Sequence, residues 1–362
     1  YKGNCYEILE QLPSNSVDCV VTSPPYYQLR DYHGVDDVRI GGDPNCDHTV
    51  NVRNECPDCG AWFGQLGNEP EPEMFIDNLV SLMKRIGRVL KPTGTLWLNV
   101  GDTYAKERSG GKHNRYDVEK KSMMMVPERT ALKMMDDGWR LRNRINWAKQ
   151  VMFEDKTVQG NANPCSFTDR FNYADEPIFF FTQADDYHFD LDAVRREHQT
   201  EGKAPTSTGG TKFDDDRIED ENIGGAGARV GREDYEPSFY HEEGANLPTT
   251  WQINPGKSGD LHTAVFSDRL PQDPIEAGCP EEVCAMCGKP YVDGDKPCGC
   301  PTEETERGIV MDPFMGSGTT GKVAVNKNRD YIGMEASDDY IEIARDNIPS
   351  TRQQKIVDLG DD

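Results

Sequence analysis

The apolar run Val17-Asp18-Cys19-Val20-Val21 ends in Thr22-Ser23-Pro24-Pro25-Tyr26-Tyr27, and this transition limits the fold more than any other stretch of the chain. A short, mostly β-branched apolar run reads as a strand buried on both faces, the kind that parallel α/β sheets use. Such sheets place their chemistry in the loops beyond the carboxyl ends of their strands. Two consecutive prolines fix φ and remove two amide donors, so this loop is rigid and presents carbonyl oxygens beside an aromatic ring. A planar base carrying an exocyclic amine suits it. Ser23 and the Pro24 carbonyl would accept hydrogen bonds from the amine while Tyr26 stacks on the ring. On its own, a Pro-Pro-Tyr triplet would be an ordinary proline-rich turn.

A second unit of the same kind lies near the other end. Ile309-Val310-Met311-Asp312-Pro313-Phe314-Met315-Gly316-Ser317-Gly318-Thr319-Thr320 reads as a short strand, a glycine turn and the start of a helix. Gly316 and Gly318 let backbone approach a ligand at a helix N-terminus. A nicotinamide-binding turn is the natural competitor, but only two glycines occupy the critical turn, and the dinucleotide fingerprint needs three. The next strand, Tyr331-Ile332-Gly333-Met334-Glu335, ends in an acid placed to bind ribose hydroxyls.

Together these two stretches resemble the S-adenosylmethionine-dependent amino-methyltransferases of DNA, in the circularly permuted β-group arrangement where the catalytic loop precedes the cofactor loop. The resemblance extends to an amphipathic helix at about 74–90, a strand at 94–102, a closing strand pair at 143–149 and 176–182, and the segment from Trp251 to Pro271. It implies a Rossmann-like α/β fold, with a mostly parallel sheet and one antiparallel closing strand. It also implies double-stranded DNA as substrate, with the target base flipped out, because the amine is paired and stacked in the duplex. Carried onto this chain, the catalytic set is Ser23, Pro24, Pro25 and Tyr26. The S-adenosylmethionine set is Asp312, Phe314, Gly316, Ser317, Gly318, Thr319 and Glu335, with His262 and Phe266 closing over the methionine end. Serine at the head of the Pro-Pro-Tyr loop favours cytosine-N4 over adenine-N6, and family members with this serine act on either base. A cognate restriction endonuclease is a further partner that the resemblance raises. Two rival classes are a methyltransferase acting on RNA or on a protein amide, which leaves the permuted order unexplained, and a non-catalytic zinc-ribbon nucleic-acid binder, which explains the cysteines alone.

Eleven cysteines would signal disulfides in a secreted protein, whereas paired Cys-x-x-Cys units in a cytosolic enzyme read as metal sites. Cys46, His48, Cys56 and Cys59 form one four-ligand set, and Cys284, Cys287, Cys298 and Cys300 another. Four ligands leave no open position for water, so both read as structural zinc sites. Methyl transfer from a sulfonium needs no metal. His48 also reads as a plain surface histidine, and Cys279 as an alternative ligand of the second set. Cys5, Cys19 and Cys165 read as buried thiols.

The formal net charge of −24 opposes the nucleic-acid reading, because DNA-binding proteins ordinarily present basic surfaces. A solvation coat of haloarchaeal or haloviral character reconciles the two, since at about 1 M salt the Debye length is near 3 Å. Positive charge is also clustered. Lys106, Arg108, Lys112, His113, Arg115, Lys120 and Lys121 fall in a glycine-containing stretch where a DNA-gripping loop is expected. Arg129, Lys133, Arg140, Arg142, Arg144 and Lys149 read nearly as well as solvated faces. No run is long enough to span a membrane, and a cytoplasmic location is expected. The motifs divide the chain into a catalytic half, 1–200, with a zinc insertion at 42–64, and a linker or target-recognition stretch at 201–248. A cofactor half at 249–348 with a zinc knuckle at 279–301 and a tail at 349–362 follow.

Overall fold

A computed structural model of the chain describes residues 1–29, 37–43, 45–105, 118–161, 166, 168–198, 244–256, 267–291 and 294–349. The first part contains α1 (Cys5–Gln11), β1 (Val17–Thr22), β2 (Val38–Ile40), β3 (Trp62–Gly64), α2 (Pro72–Val89) and β4 (Leu90–Asn99). Next come α3 (Val126–Asp136), β5 (Arg140–Ala148), β6 (Gln150–Met152), β7 (Val158–Gly160), β8 (Asp175–Thr182) and β9 (Thr250–Gln252). The remainder is α4 (Arg269–Gly278), β10 (Glu282–Cys284), β11 (Thr305–Arg307), β12 (Ile309–Asp312), α5 (Thr319–Asn326), β13 (Asp330–Gly333) and α6 (Asp338–Asn347).

Seven strands form one sheet in the order β13-β12-β1-β4-β8-β5-β9. β13, β12, β1 and β4 pair in parallel, as do β5 and β9, while β8 is antiparallel to both of its neighbours. One strand of the seven runs against the rest, so this is the mostly parallel α/β sheet expected. β1 lies in the middle of the sheet, between β12 from the C-terminal part of the chain and β4. Flanked on both edges and covered on both faces, it buries all six residues, which is why its sequence is a run rather than an alternation.

Alternate residues of the strands feed two apolar layers. Val20, Leu96, Leu98, Phe179 and Phe181 join the side chains of α1, α2 and α3. Cys19, Val21, Trp97, Ile178 and Phe180 join Leu270 and Ile275 of α4 and Val323 and Ala324 of α5. Trp97 stacks on Phe180 with ring centroids 4.2 Å apart. In α2, Pro72 occupies the first turn, and Phe75, Leu79, Leu82, Met83 and Ile86 are fully buried. Each such side chain contributes about 1.5–3 kcal/mol relative to exposure, so packing of this stripe fixes the helix against the sheet.

The helix expected at 74–90 is found with both ends within two residues. The strand expected at 94–102 starts earlier, at Leu90, and stops at Asn99. Trp251 and Gln252 form part of the far edge strand, parallel to β5. Among the described residues three short antiparallel strand pairs lie outside the main sheet: β2 with β3, β6 with β7 and β10 with β11.

The chain divides into two compact units, Tyr1–Asp190 with Pro248–Asp362, and Leu191–Leu247. Among the described residues of the second unit, Arg196 and Ala245 form an antiparallel bridge and Arg195 donates to Asn246 Oδ1 at 2.6 Å. Most of the linker expected at 201–248 and of the tail at 349–362 lies outside the described residues. No helix among the described residues is long and apolar enough to cross a membrane.

Candidate active site

Because β1, β4, β5, β12 and β13 all run one way, their carboxyl ends share one edge of the sheet, and the reversed strand β8 begins there. Residues 22–27, 99–102, 148–149, 175–176, 312–318 and 333–335 therefore converge. Thr22 and Asp312, the last residues of adjacent strands, touch directly. Asp312 Oδ1 accepts from the Thr22 hydroxyl at 2.8 Å and from the Phe314 amide at 3.0 Å, and Oδ2 accepts from the Thr320 hydroxyl at 2.8 Å. Burial pushes the Asp312 carboxyl above its ordinary range, and these three donors pull it back. One carboxylate thus ties the residue before Ser23 to both sides of the glycine turn.

Ser23, Pro24, Pro25 and Tyr26 follow as one loop. The Tyr26 hydroxyl lies 2.8 Å from Asn99 Oδ1 and 2.8 Å from Glu176 Oε2, and the Ser23 hydroxyl lies 3.3 Å from both Asn99 Oδ1 and the Tyr26 oxygen. Asn99 is held in turn by donating Nδ2 to the Pro177 carbonyl at 3.0 Å, and Glu176 pairs with Lys149. The Tyr26 ring lies against the backbone of Gly101. A Cβ there would come within 2.4 Å of the ring, so no other residue fits without moving Tyr26.

In the glycine turn, Gly316 and Gly318 have φ of +51° and +82°. The Gly316 amide donates to Glu335 Oε2 at 2.9 Å and the Ser337 amide to Glu335 Oε1 at 2.9 Å. Burial raises the Glu335 carboxyl, and backbone donors oppose the rise. Ser317 and Thr319 face each other with hydroxyls 3.5 Å apart, and Phe314 packs against the main core. An acid at the end of the second strand and a glycine turn leading into α5 suit an adenosine ligand: the Glu335 carboxylate has more acceptor capacity than its backbone amide donors use, and a side chain at Gly316 would meet nothing closer than 4.0 Å. His262 and Phe266 lie outside the described residues, as does Cys165.

Thr22, Asn99, Glu176 and Thr320 are not among the site residues expected from sequence, and Lys149 entered there only as one of the second basic group. Asn99 carried a signal, a polar residue closing the apolar stretch Leu96-Trp97-Leu98. Glu176 carried none, because only the reversal of β8 brings its first residues to this edge, and nothing in the sequence joined Lys149 to it.

Both cysteine sets assemble. In each, the four ligand atoms lie within 4.8 Å of one another. In the first set Cys46 Sγ is 3.8 Å from Cys56 Sγ, and Cys59 Sγ is 3.4 Å from His48 Nδ1. A tetrahedron with bonds of about 2.3 Å has edges of about 3.8 Å, so the spacing fits zinc and thiolates. The Cys56 thiol is held low, at about 6, by His48 first, with the amides of Cys59 and Asp58 assisting. The Cys284 thiol is lowered to about 7 by the amides of Cys287 and Met286. In both sets the glycine after the Cys-x-x-Cys pair donates its amide to the carbonyl of the pair's first cysteine, Gly60 to Cys56 and Gly288 to Cys284, at 2.8 Å. Cys279 stays out of the second set, fully buried at the end of α4, where burial pushes its thiol up. Cys5 and Cys19 are buried thiols as expected.

Much of the second basic group is paired within the chain. Lys133 meets Asp77, Arg140 meets Asp185, Arg144 meets Glu128, Lys149 meets Glu176, and Arg142 donates to the Tyr187 hydroxyl. From the first group Lys121 pairs with Asp169, and Lys106, Arg108, Lys112, His113 and Arg115 lie outside the described residues.

A mostly parallel sheet with chemistry-bearing loops at its carboxyl edge is the architecture of the α/β methyltransferases. The fold matches the solved structure of the PvuII DNA methyltransferase (cytosine-N4-specific) with a TM-score of 0.53 and 16% identity, over 98% of this chain and 87% of that one. A DNA methylase family model covering the N6 and N4 enzymes matches residues 17–346, and the chain belongs to that family. Its relatives include the type II methyltransferase M.XycI of Xanthomonas campestris pv. cyanopsidis, 28% identical over 96% of this chain and 86% of that protein. M.SmaI of Serratia marcescens is 27% identical over 96% and 89%. The chain is an S-adenosylmethionine-dependent DNA methyltransferase acting on cytosine N4 or adenine N6.

Proposed function

We propose that this enzyme flips a base out of duplex DNA at a specific site and methylates its exocyclic amine, cytosine N4 in preference to adenine N6. The reading is carried by one observation: Ser23-Pro24-Pro25-Tyr26 stands at the carboxyl end of β1, beside the glycine turn of β12, and one carboxylate joins the two. When bound, S-adenosylmethionine supplies an electrophilic methyl group on a sulfonium. Ser23 Oγ and the Pro24 carbonyl accept hydrogen bonds from the amine, drawing its lone pair out of conjugation and aiming it. Tyr26 stacks on the base, its hydroxyl anchored by Asn99 and Glu176. Phe314, Gly316, Ser317, Gly318, Thr319 and Glu335 hold the cofactor, Asp312 holds the loop that they form, and His262 and Phe266 close the methionine end. The serine at the loop head, and the cytosine-N4 specificity of the PvuII enzyme, favour cytosine.

In this reading the permuted order places the catalytic half at 1–200 and the cofactor half at 249–348, with 201–248 contributing to target recognition. Each cysteine set holds one structural zinc ion. The names of the type II relatives suggest a cognate restriction endonuclease, and the DNA substrate implies work in the cytoplasm. Tyr26→Ala tests the loop assignment. Methyl transfer to unmethylated genomic DNA should be lost, with base stacking alone accounting for about 1–3 kcal/mol and misalignment for the rest. S-Adenosylmethionine affinity, read by calorimetry, should stay near the parent value. Normal turnover in this variant would show that the loop does not hold the base.

A further inference from the structure

We infer that the first metal cluster braces the catalytic loop, whereas the second sits at the opposite edge of the sheet and does not. The inference rests on the zinc reading above and adds a role for one of the two ions.

The brace is a short run of backbone. Cys56 N donates to the Ala61 carbonyl at 2.7 Å, and the Phe63 amide to the Asn54 carbonyl at 2.8 Å, so the ligand loop is laced onto β3. The Phe63 ring meets the edge of the His48 imidazole with centroids 5.3 Å apart, and Trp62 is buried in the main core. Three residues beyond β3 the chain reaches Gly67, whose carbonyl accepts the Gln28 amide at 2.7 Å. Gly67 has a φ of +100°, and a Cβ there would lie 2.9 Å from the Tyr26 carbonyl oxygen and 3.3 Å from Pro25 Cβ. The catalytic loop therefore rests on the turn that follows β3, the strand that leaves the cluster. Gln28 itself has a φ of +51°, a conformation that residues with a side chain seldom adopt, and the Gly67 carbonyl holds it there.

The second cluster reaches other parts. Lys91 Nζ donates to the Gly288 carbonyl at 3.5 Å and pairs with Asp18 at 2.7 Å, and Asp18 accepts the Ile309 amide at 2.9 Å. Asp18 and Ile309 stand at the beginnings of β1 and β12, the edge away from Ser23 and Gly316.

The test uses the full chain, with zinc content by native mass spectrometry, amide exchange across residues 26–29, S-adenosylmethionine affinity and single-turnover methyl transfer to unmethylated genomic DNA. Cys59→Ser should lose one zinc and speed exchange in 26–29, because that loop is freed to open locally. Transfer should slow by about tenfold or more from the displaced loop, with cofactor affinity kept within about twofold. Gly67→Ala should show the same exchange and transfer changes with both zinc ions retained. Cys287→Ser should lose the other zinc and leave exchange across 26–29 at the parent rate. Zinc loss in Cys59→Ser with unchanged exchange and transfer would overturn the brace and leave the metal reading standing. A parent chain that binds no zinc would overturn the metal reading, and the brace with it. If Cys59→Ser does not fold, chelation of the intact protein asks the same question: exchange should rise at 26–29 and stay constant at 312–318, and a uniform rise would contradict the inference.

Discussion

Asp312 turns both carboxylate oxygens toward its own chain, accepting two hydroxyls and one amide. A buried charge is tolerated only when it is hydrogen-bonded in this way, and the arrangement makes one residue responsible for two loops. Asp312→Asn removes the charge and turns one acceptor into a donor facing a hydroxyl. Each hydrogen bond to a charged group is worth about 1.5–3 kcal/mol, so the variant should lose cofactor affinity and turnover together. Tyr26→Ala should lose turnover alone. Calorimetry with S-adenosylmethionine and a methyl-transfer assay on the same preparation separate the cases, and an Asp312→Asn protein with only one parameter changed would contradict the joint role.

At the level of elements, the junction between Gly67 and α2 is sealed by Glu69, which is fully buried. It accepts the Gly67 amide at 2.7 Å and Asn78 Nδ2 at 3.0 Å. Burial raises its carboxyl to about 7, although these donors and its own amide oppose the rise. The folded chain therefore keeps this proton to about pH 7, whereas the unfolded chain releases it near 4.5. The stability that the protonated group contributes is present in full below the lower value and lost as pH rises through the upper one. Glu69→Gln stays neutral and should flatten that part of the unfolding-midpoint profile between pH 4.5 and about 7, the interval of the shift. An unchanged slope would place the proton elsewhere. The elements themselves differ in how plainly the residues announce them. β1 and β12 were legible because burial on both faces demands an unbroken apolar run, α2 because one helical face is apolar, and the two loops because proline and glycine punctuate them. The two cysteine sets that come together were legible from spacing alone. The Asn99, Glu176 and Lys149 cluster was not, since it is supplied by two separate strands and the residue after a third, and neither was the approach of Gly67 to Tyr26, which depends on two loops folding against each other. The three-residue strands of the outlying pairs are too short to show a period.

For the whole molecule, the net charge of −24 and a polyanionic substrate make opposite demands, and several described basic side chains are already paired internally. The acidic coat is proposed to suit high salt. An ordinary DNA-binding protein making several phosphate contacts loses about 10³–10⁵ in affinity between 50 and 200 mM salt. This chain should instead gain thermal stability and methyl-transfer rate as potassium chloride rises toward about 1 M, where repulsion between carboxylates is screened within about 3 Å. Both properties peaking at about 0.1 M salt would remove the halophilic explanation. The central claim, that this site methylates an exocyclic amine of a base in DNA, is tested most directly by mass spectrometry of the nucleosides released from duplex DNA after incubation with the purified protein and S-adenosylmethionine. N4-Methylcytosine is the expected product. N6-Methyladenine would reverse the base preference, and DNA without a methylated amine, from a preparation that binds the cofactor, would contradict the claim itself.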